Sequence, residues 1–226
     1  MINILMSRGI LGNPELSDEL KVYIKKEHKV AILLYSFFDK DLKTQEDYDL
    51  YYQKGSEYYE KMMTSFAPYG IKESQISYID YYKDSSEVAT KKIQEADIIY
   101  FPGGAPDQMM KRIKERNIQE ALENHQKIYI GSSAGAMIQF KNYHISKDYD
   151  YAYFSYEEGL NLLSGFSIEV HFRRRKNQKR AMRKVHRSFK HPIITLPDDG
   201  VCVVTKDEIY VMGSARVYYD DRGIIR

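Results

Sequence analysis

Several things are scarce in this sequence, and each shortage narrows what the chain can be. None of its 226 residues belong to an apolar run approaching the ~18 positions of a membrane-crossing helix, so no span is expected. A single cysteine, Cys202, leaves no internal disulfide to form; this fits a reducing compartment, with the thiol packed in a strand rather than reacting. The opening MINILMSRGI has neither a basic stretch ahead of a long apolar run nor a small-residue cleavage site, so a cytoplasmic location is expected. Neither sign of charge prevails: 34 Lys and Arg stand against 32 Asp and Glu, net +2, and the molecule as a whole is not a polyanion binder. His-Glu-x-x-His and paired-cysteine patterns are missing, so neither a metal nor an organic cofactor is expected. Repeats and low-complexity linkers are also absent, and residues 1–226 read as one domain.

What is present is an alternation of strand and helix, with 43% hydrophobic residues to build a core. Ile2–Met6 predicts a buried strand, Leu16–Lys26 a short helix, and Lys29–Phe37 a strand dense in Val, Ile and Leu. Thr44–Phe66 predicts one long helix, since Tyr48, Tyr52, Tyr59, Met62 and Phe66 recur at helical spacing and Pro68 and Gly70 follow. Glu73–Ile79 reads as a more polar strand near a sheet edge, Ser85–Glu95 as a helix, Asp97–Phe101 as a strand and Ala105–Gln126 as an amphipathic helix. Continuous apolar strands alternating with helices point to an α/β fold: a doubly wound, mostly parallel sheet with helices on both faces. Beyond the next strand the pattern loosens. Tyr143–Tyr156 reads as loop or irregular strand, Gly165–Phe172 as a strand ending at His171, and Arg173–Lys190 as a basic, partly helical stretch. Extra strands follow at Ile193–Leu196, Val201–Thr205, Glu208–Met212 and Val217–Tyr219.

In such a sheet function collects at the carboxyl ends of the strands. Lys127–Ile138, KIYIGSSAGAMI, is the stretch to read there: a β-branched and aromatic run, a turn Gly131-Ser132-Ser133-Ala134-Gly135, then a helix-compatible run. Strand, tight turn and helix with a serine at the tip is the layout of a nucleophile elbow. Ser133 then needs a base, a group to orient that base, and two donors for an oxyanion. Of six histidines, His171 alone ends a strand; His28 and His125 read as solvated. The backbone N–H groups of Gly104, behind another strand, and of Ala134, at the start of the elbow helix, are placed to converge on one oxygen. Glu169, two residues before His171 on an extended strand, points to the same face and is a candidate to orient it.

Phe101-Pro102-Gly103-Gly104, Gly131-x-Ser133-Ala134-Gly135-Ala136 and His171-Phe172 followed by spaced arginines together resemble the peptidase E, or S51, serine peptidases, a family of aspartyl dipeptidases and cyanophycinases. The resemblance implies a fold like that of class I glutamine amidotransferases with serine in place of their cysteine, and catalysis by Ser133 and His171 with oxyanion donors at Gly104 and Ala134. It offers two further acids: Asp198, as in cyanophycinase-like members, ranked first, and Asp148, as in the dipeptidase branch, ahead of Glu169. It also implies a short peptide as substrate, acidic at the scissile position, with Arg175 and Arg180 at family arginine positions. Three residues depart from the pattern: Ala105 where asparagine is usual, Ser132 where tryptophan is usual, and Asn177 where another arginine is common. They put the substrate in question more than the nucleophile.

The stretch 173–190 carries ten Lys and Arg and no acid. A solvated or subunit-contact helix face is the first reading, one or two arginines at the substrate the second, and nucleic acid the least favoured. Two rival functions stand beside a peptidase: a non-catalytic binding member of the same fold, and an amidase or esterase using the same elbow. The sequence does not distinguish a monomer from a homodimer.

Overall fold

A computed structural model describes residues 1–220 and 223–224. Its strands are β1 Ile2–Met6, β2 Val30–Leu34, β3 Ile76–Asp80, β4 Ile98–Phe101, β5 Ile128–Ser132, β6 Asn142–Ile145, β7 Ser155–Glu158, β8 Ser167–Val170, β9 Ile193–Leu196, β10 Val201–Val204, β11 Ile209–Met212, β12 Arg216–Asp220 and β13 Gly223–Ile224. The helices are α1 Pro14–Leu20, α2 Gln45–Tyr52, α3 Glu57–Phe66, α4 Ser86–Glu95, α5 Pro106–Glu115, α6 Gln119–Asn124, α7 Ala134–Met137 and α8 Lys176–Phe189.

The main sheet has seven strands in the order β11-β10-β1-β5-β4-β2-β3. Its five strands from β1 to β3 run parallel, and β10 and β11 extend it antiparallel from β1. Strand side chains alternate between two cores. Leu5, Leu33, Ile99, Phe101 and Tyr129 pack under α4–α7 on one face; Ile4, Ile32, Leu34, Tyr100 and Ile130 pack under α1–α3 on the other. The sheet is thus covered on both sides, as the apolar strand runs require. β3 lies at one edge, which explains its more polar sequence.

A second sheet, in the order β13-β12-β9-β8, stands apart from the first. Ile168, Ile194 and Leu196 of this sheet join the α4–α7 core, while Ile193 and Tyr219 meet Met182 and Val185 of α8. The sequence reading set His171 and the elbow at strand ends of one sheet; the structure divides them between two. The β8–β9 pairing, Ser167 opposite Ile193, spans a connection that holds α8, and no local pattern reports it.

Two expected long helices are each broken. Thr44–Phe66 divides at Gln53, which is extended, and Gly55, whose φ of 83° suits glycine; Ser56 then caps α3 by accepting from the Tyr59 N–H. Ala105–Gln126 divides at Asn117, φ 52°. Tyr143–Tyr156 holds the hairpin of β6 and β7. Among the described residues no helix is long and apolar enough to cross a membrane.

The turn after β2 is held from beneath by a buried cation. Arg112 of α5, 4% exposed, donates through Nη1 to the Tyr35 and Phe37 carbonyls at 2.6 and 2.7 Å and through Nη2 to Asp39, with its guanidinium 3.5 Å from the Phe37 ring centre. Replacing it by Met leaves two buried carbonyls without a donor, at about 1–3 kcal/mol each. Arg112→Met should therefore lower the melting temperature by about 10 °C in a thermal denaturation scan; a shift under about 2 °C would show that the cation does not hold the turn.

Candidate active site

Ser133 sits between β5 and α7 with φ 50° and ψ −112°, a conformation that L-residues adopt only under constraint. Three contacts supply the constraint. The Ser133 N–H donates to the Met6 carbonyl at 2.8 Å. Gln139 Nε2 donates to the Gly135 carbonyl at 3.0 Å, and Asn3 Nδ2 donates in turn to Gln139 Oε1 at 2.9 Å, all of it buried. Gly135 lies against β4 so closely that a β-carbon there would meet the Phe101 carbonyl oxygen at 1.9 Å. The elbow is thus clamped by the strands on either side of β5.

His171 follows β8 and itself has φ 51°. Its backbone N–H donates to Ser7 Oγ at 2.9 Å, and the Ser7 hydroxyl donates to the Leu196 carbonyl at 2.5 Å. Gln178 of α8, also buried, donates through Nε2 to the His171 carbonyl at 2.9 Å and accepts from the Arg173 N–H. So held, the imidazole brings Nε2 to 2.9 Å from Ser133 Oγ and Nδ1 to 3.3 Å from Asp198 Oδ1. With the ring hydrogen on Nδ1, facing Asp198, Nε2 is left to accept from the serine hydroxyl.

Asp198 is shared. Arg173 Nη2 donates to its Oδ2 at 2.6 Å and Arg8 Nε stands 3.3 Å from Oδ1. Partial burial alone would raise the carboxyl, but hydrogen bonds from Arg173, Arg8 and His171 outweigh it and hold the pKa at about 2. Because the folded value lies below that of an ordinary carboxylate, about 3.9, these contacts stabilise the fold fully above that value and are lost as pH falls through about 2. A carbon-detected NMR titration should give Asp198 a midpoint near 2, rising toward the ordinary range in Arg173→Ala; an unmoved midpoint would mean that Arg173 does not hold the carboxylate.

The other two acids lie elsewhere. Glu169, 3% exposed, accepts at Oε2 from Ser146 Oγ at 2.9 Å and pairs with His144 Nε2 at 2.7 Å, with no bond to His171. Asp148 accepts from the Asp150 and Tyr151 N–H groups within its own exposed loop. Both line the same cavity as Ser133 and His171, but Asp198 is the carboxylate at Nδ1.

That cavity, of about 430 Å³, is also walled by Gly104, Ala134, Arg8, Arg173, Arg175 and Asn177. Among the described residues, neither the Gly104 N–H nor the Ala134 N–H has a backbone acceptor. Gly104 has φ 142°, and a β-carbon there would fall 1.9 Å from the Ser36 carbonyl oxygen, so only glycine lets this loop settle on the turn after β2. Ser36 completes the seat: its carbonyl accepts from the Ala105 N–H at 2.7 Å and its hydroxyl donates to the Gly103 carbonyl at 2.8 Å. The Ser132 hydroxyl, in place of a large ring, accepts from Tyr100 at 3.3 Å. Asn177 donates to the Lys147 carbonyl and ties α8 to the β6–β7 hairpin. Arg175 reaches the cavity, while Arg180 lies on the outer face of α8.

Ser7, Arg8 and His144 escaped the sequence reading. Ser7 and Arg8 follow β1 at its carboxyl end, and the strand-end rule that picked out Gly104 would have reached them. His144 pairs with a residue 25 positions away, and only the fold brings them together. His125, expected in solvent, is half-buried with Nε2 3.0 Å from the Ala96 carbonyl oxygen, and burial lowers its pKa. Cys202 is fully buried, its thiol pushed up to about 12 by burial, and takes no part. Among the described residues no His, Cys, Asp and Glu group could hold a metal ion.

The family model described as peptidase family S51 matches residues 51–212. No curated protein matches the sequence. Among solved structures, a Listeria monocytogenes EGD-e protein assigned as a candidate peptidase E aligns with TM-score 0.64 at 17% identity, covering 93% of this chain and 97% of its own. A peptidase from an acI-B1 actinobacterium aligns with TM-score 0.64 at 15% identity, covering 96% and 89%. At these identities the two likenesses concern the fold.

Proposed function

The chain belongs to peptidase family S51, a family of serine-type peptidases, and from that premise we propose that it cleaves short peptides through Ser133, His171 and Asp198. The observation that carries this reading is the 2.9 Å approach of His171 Nε2 to Ser133 Oγ on a strained elbow. In the first step Ser133 Oγ attacks the scissile carbonyl carbon while Nε2 takes its proton, and Asp198 steadies the imidazolium from Nδ1. Negative charge gathers on the former carbonyl oxygen between the Gly104 and Ala134 N–H groups. The C–N bond then breaks as Nε2 returns the proton to the leaving amine. Water, deprotonated by the same nitrogen, releases the acyl group and restores the serine.

The cations at the cavity favour a substrate with an acidic side chain. Asp198 occupies Arg8 and Arg173, whereas Arg175 has no carboxylate within ion-pair distance among the described residues and stands as the side chain to meet one. The single, buried thiol of Cys202 favours a reducing, cytoplasmic setting. A panel of Asp-X, Ala-X and Lys-X dipeptides is the direct test, with Arg175→Ala beside the native chain. We expect turnover of Asp-X above the others, and a KM at least tenfold higher for Asp-X in the variant at similar kcat, in the range of about 1.5–3 kcal/mol for a hydrogen bond to a charged group. Equal turnover of all three would remove the acidic preference, and failure to hydrolyse any peptide or to be acylated by a fluorophosphonate would remove the peptidase reading.

A further inference from the structure

Helix α8 carries a surface that peptide hydrolysis does not use. Ten bases and no acid fall in residues 173–190; 34 bases less these ten leaves 24 against 32 acids, so the remainder of the chain is acidic. The helix buries Ala181, Met182 and Val185 and turns its cations outward. Some exposed lysines elsewhere find carboxylates, as Lys21 finds Asp18, Lys54 finds Glu73 and Lys83 finds Asp49, and among the described residues others such as Lys25, Lys61 and Lys141 stand singly without one; α8 differs in gathering six such cations on one face. Among the described residues no carboxylate lies within ion-pair distance of Lys176, Lys179, Arg180, Arg183, Lys184 or Arg187. These residues stand three and four positions apart, where like charges on a helix repel. The face is therefore arranged against its own stability unless an anion offsets it.

Two hollows lie along it. Lys176, Lys179, Arg180 and Arg183 wall one; Phe154, Tyr156, Lys184 and Arg187 wall the other. Beside the second, two rings are part-exposed: Tyr156 is 42% and Phe189 41% exposed, meeting edge to face at 5.3 Å, and Phe189 stacks by one face on His191. Lys184 Nζ lies 4.7 Å from the centre of the Phe154 ring. We infer that this face binds single-stranded nucleic acid, with phosphates along the cationic turns and unpaired bases on Tyr156 and Phe189. A duplex hides its base faces and would leave the rings idle, as would an acidic polypeptide. Insertion into an anionic membrane needs an apolar helix face, and that of α8 is already spent on β9 and β12.

Fluorescence anisotropy with dye-labelled 20-mers of thymidylate and uridylate, titrated with the full chain, tests this. Binding is expected in the micromolar range at about 50 mM salt and about a hundredfold weaker at 200 mM, as release of counterions from about five phosphates gives. The double variant Lys179→Glu/Arg183→Glu should lower affinity by more than about tenfold; Lys184→Glu/Arg187→Glu serves in its place should the first not fold. Tyr156→Ala/Phe189→Ala should lower it by about tenfold for single strands. Ser133→Ala should bind as the native chain does, which keeps the result independent of any peptidase activity. Absence of saturable binding at about 100 μM protein in low salt overturns the inference. So does binding that survives charge reversal, or equal binding to duplex DNA, polyglutamate or phosphatidylserine vesicles.

Discussion

Ser133→Ala should lower kcat by about six orders of magnitude, to the residual rate that an oxyanion hole and substrate binding provide without a nucleophile. The same variant should lose all labelling by a fluorophosphonate. Its stability should barely move, because the lost hydroxyl makes one hydrogen bond, to a half-buried imidazole. Ser133→Gly sharpens the test. The backbone at φ 50°, ψ −112° is strained for any residue with a β-carbon, at about 1–3 kcal/mol, and glycine relieves it. The glycine variant should be as inactive as the alanine one and yet melt higher. A retained rate in either variant, measured on the best peptide of the panel, would exclude Ser133 as the nucleophile.

Gly135→Ala should be among the most damaging single methyl additions around Ser133, beside Gly104→Ala, whose β-carbon meets the Ser36 carbonyl oxygen at the same 1.9 Å. At Gly135 the β-carbon would stand 1.9 Å from the Phe101 carbonyl oxygen and 2.6 Å from the Phe101 β-carbon, and both belong to β4 rather than to a flexible side chain. Relief requires α7 and β4 to part, at about 3 kcal/mol or more, which is about 10 °C of melting temperature. It also moves both N–H groups of the proposed oxyanion site, since Phe101 leads into Gly103-Gly104 and Gly135 follows Ala134. A misplacement of about 1 Å costs on the order of a hundredfold in rate. Gly165→Ala is the control. Gly165, unlike Gly135, has a positive φ, 84°, but a β-carbon there meets nothing within 4 Å, so its substitution carries a conformational cost of about 1 kcal/mol and no clash. If the two variants melt alike, the clamp between α7 and β4 is not what shapes the elbow.

Much of this was written locally and could be read so. The elbow needs only a strand, two glycines and a short helix, all within Lys127–Ile138, and Gly103-Gly104 needs only the strand before it. The resemblance ranks Asp198 first among the acids, and Asp198 stands 3.3 Å from His171 Nδ1. What was illegible depends on partners far away in the chain. Glu169 does point to the cavity as strand alternation requires, yet His144 claims it. The break at Gln53–Gly55 was hidden because tyrosines on both sides keep helical spacing across it, and periodicity does not register one residue with φ 83°. The division into two sheets turns on β9 choosing β8 and β12 while β10, a few residues later, chooses β1. Apolar runs of four residues look alike whichever neighbour they take.

That division makes the distance from His171 Nε2 to Ser133 Oγ a gauge of how two sheets fit. Ser133 rides on the seven-stranded sheet, His171 and Asp198 follow strands of the four-stranded one, and the Ser7 hydroxyl, bonded to the His171 N–H and the Leu196 carbonyl, is a stitch between them. Slippage along that seam would part Nε2 from Oγ while every strand kept its own ladder. Heat inactivation would then run ahead of the loss of secondary structure, as partial openings precede global unfolding in other folds. Turnover rather than ellipticity is the sensitive reporter of this seam.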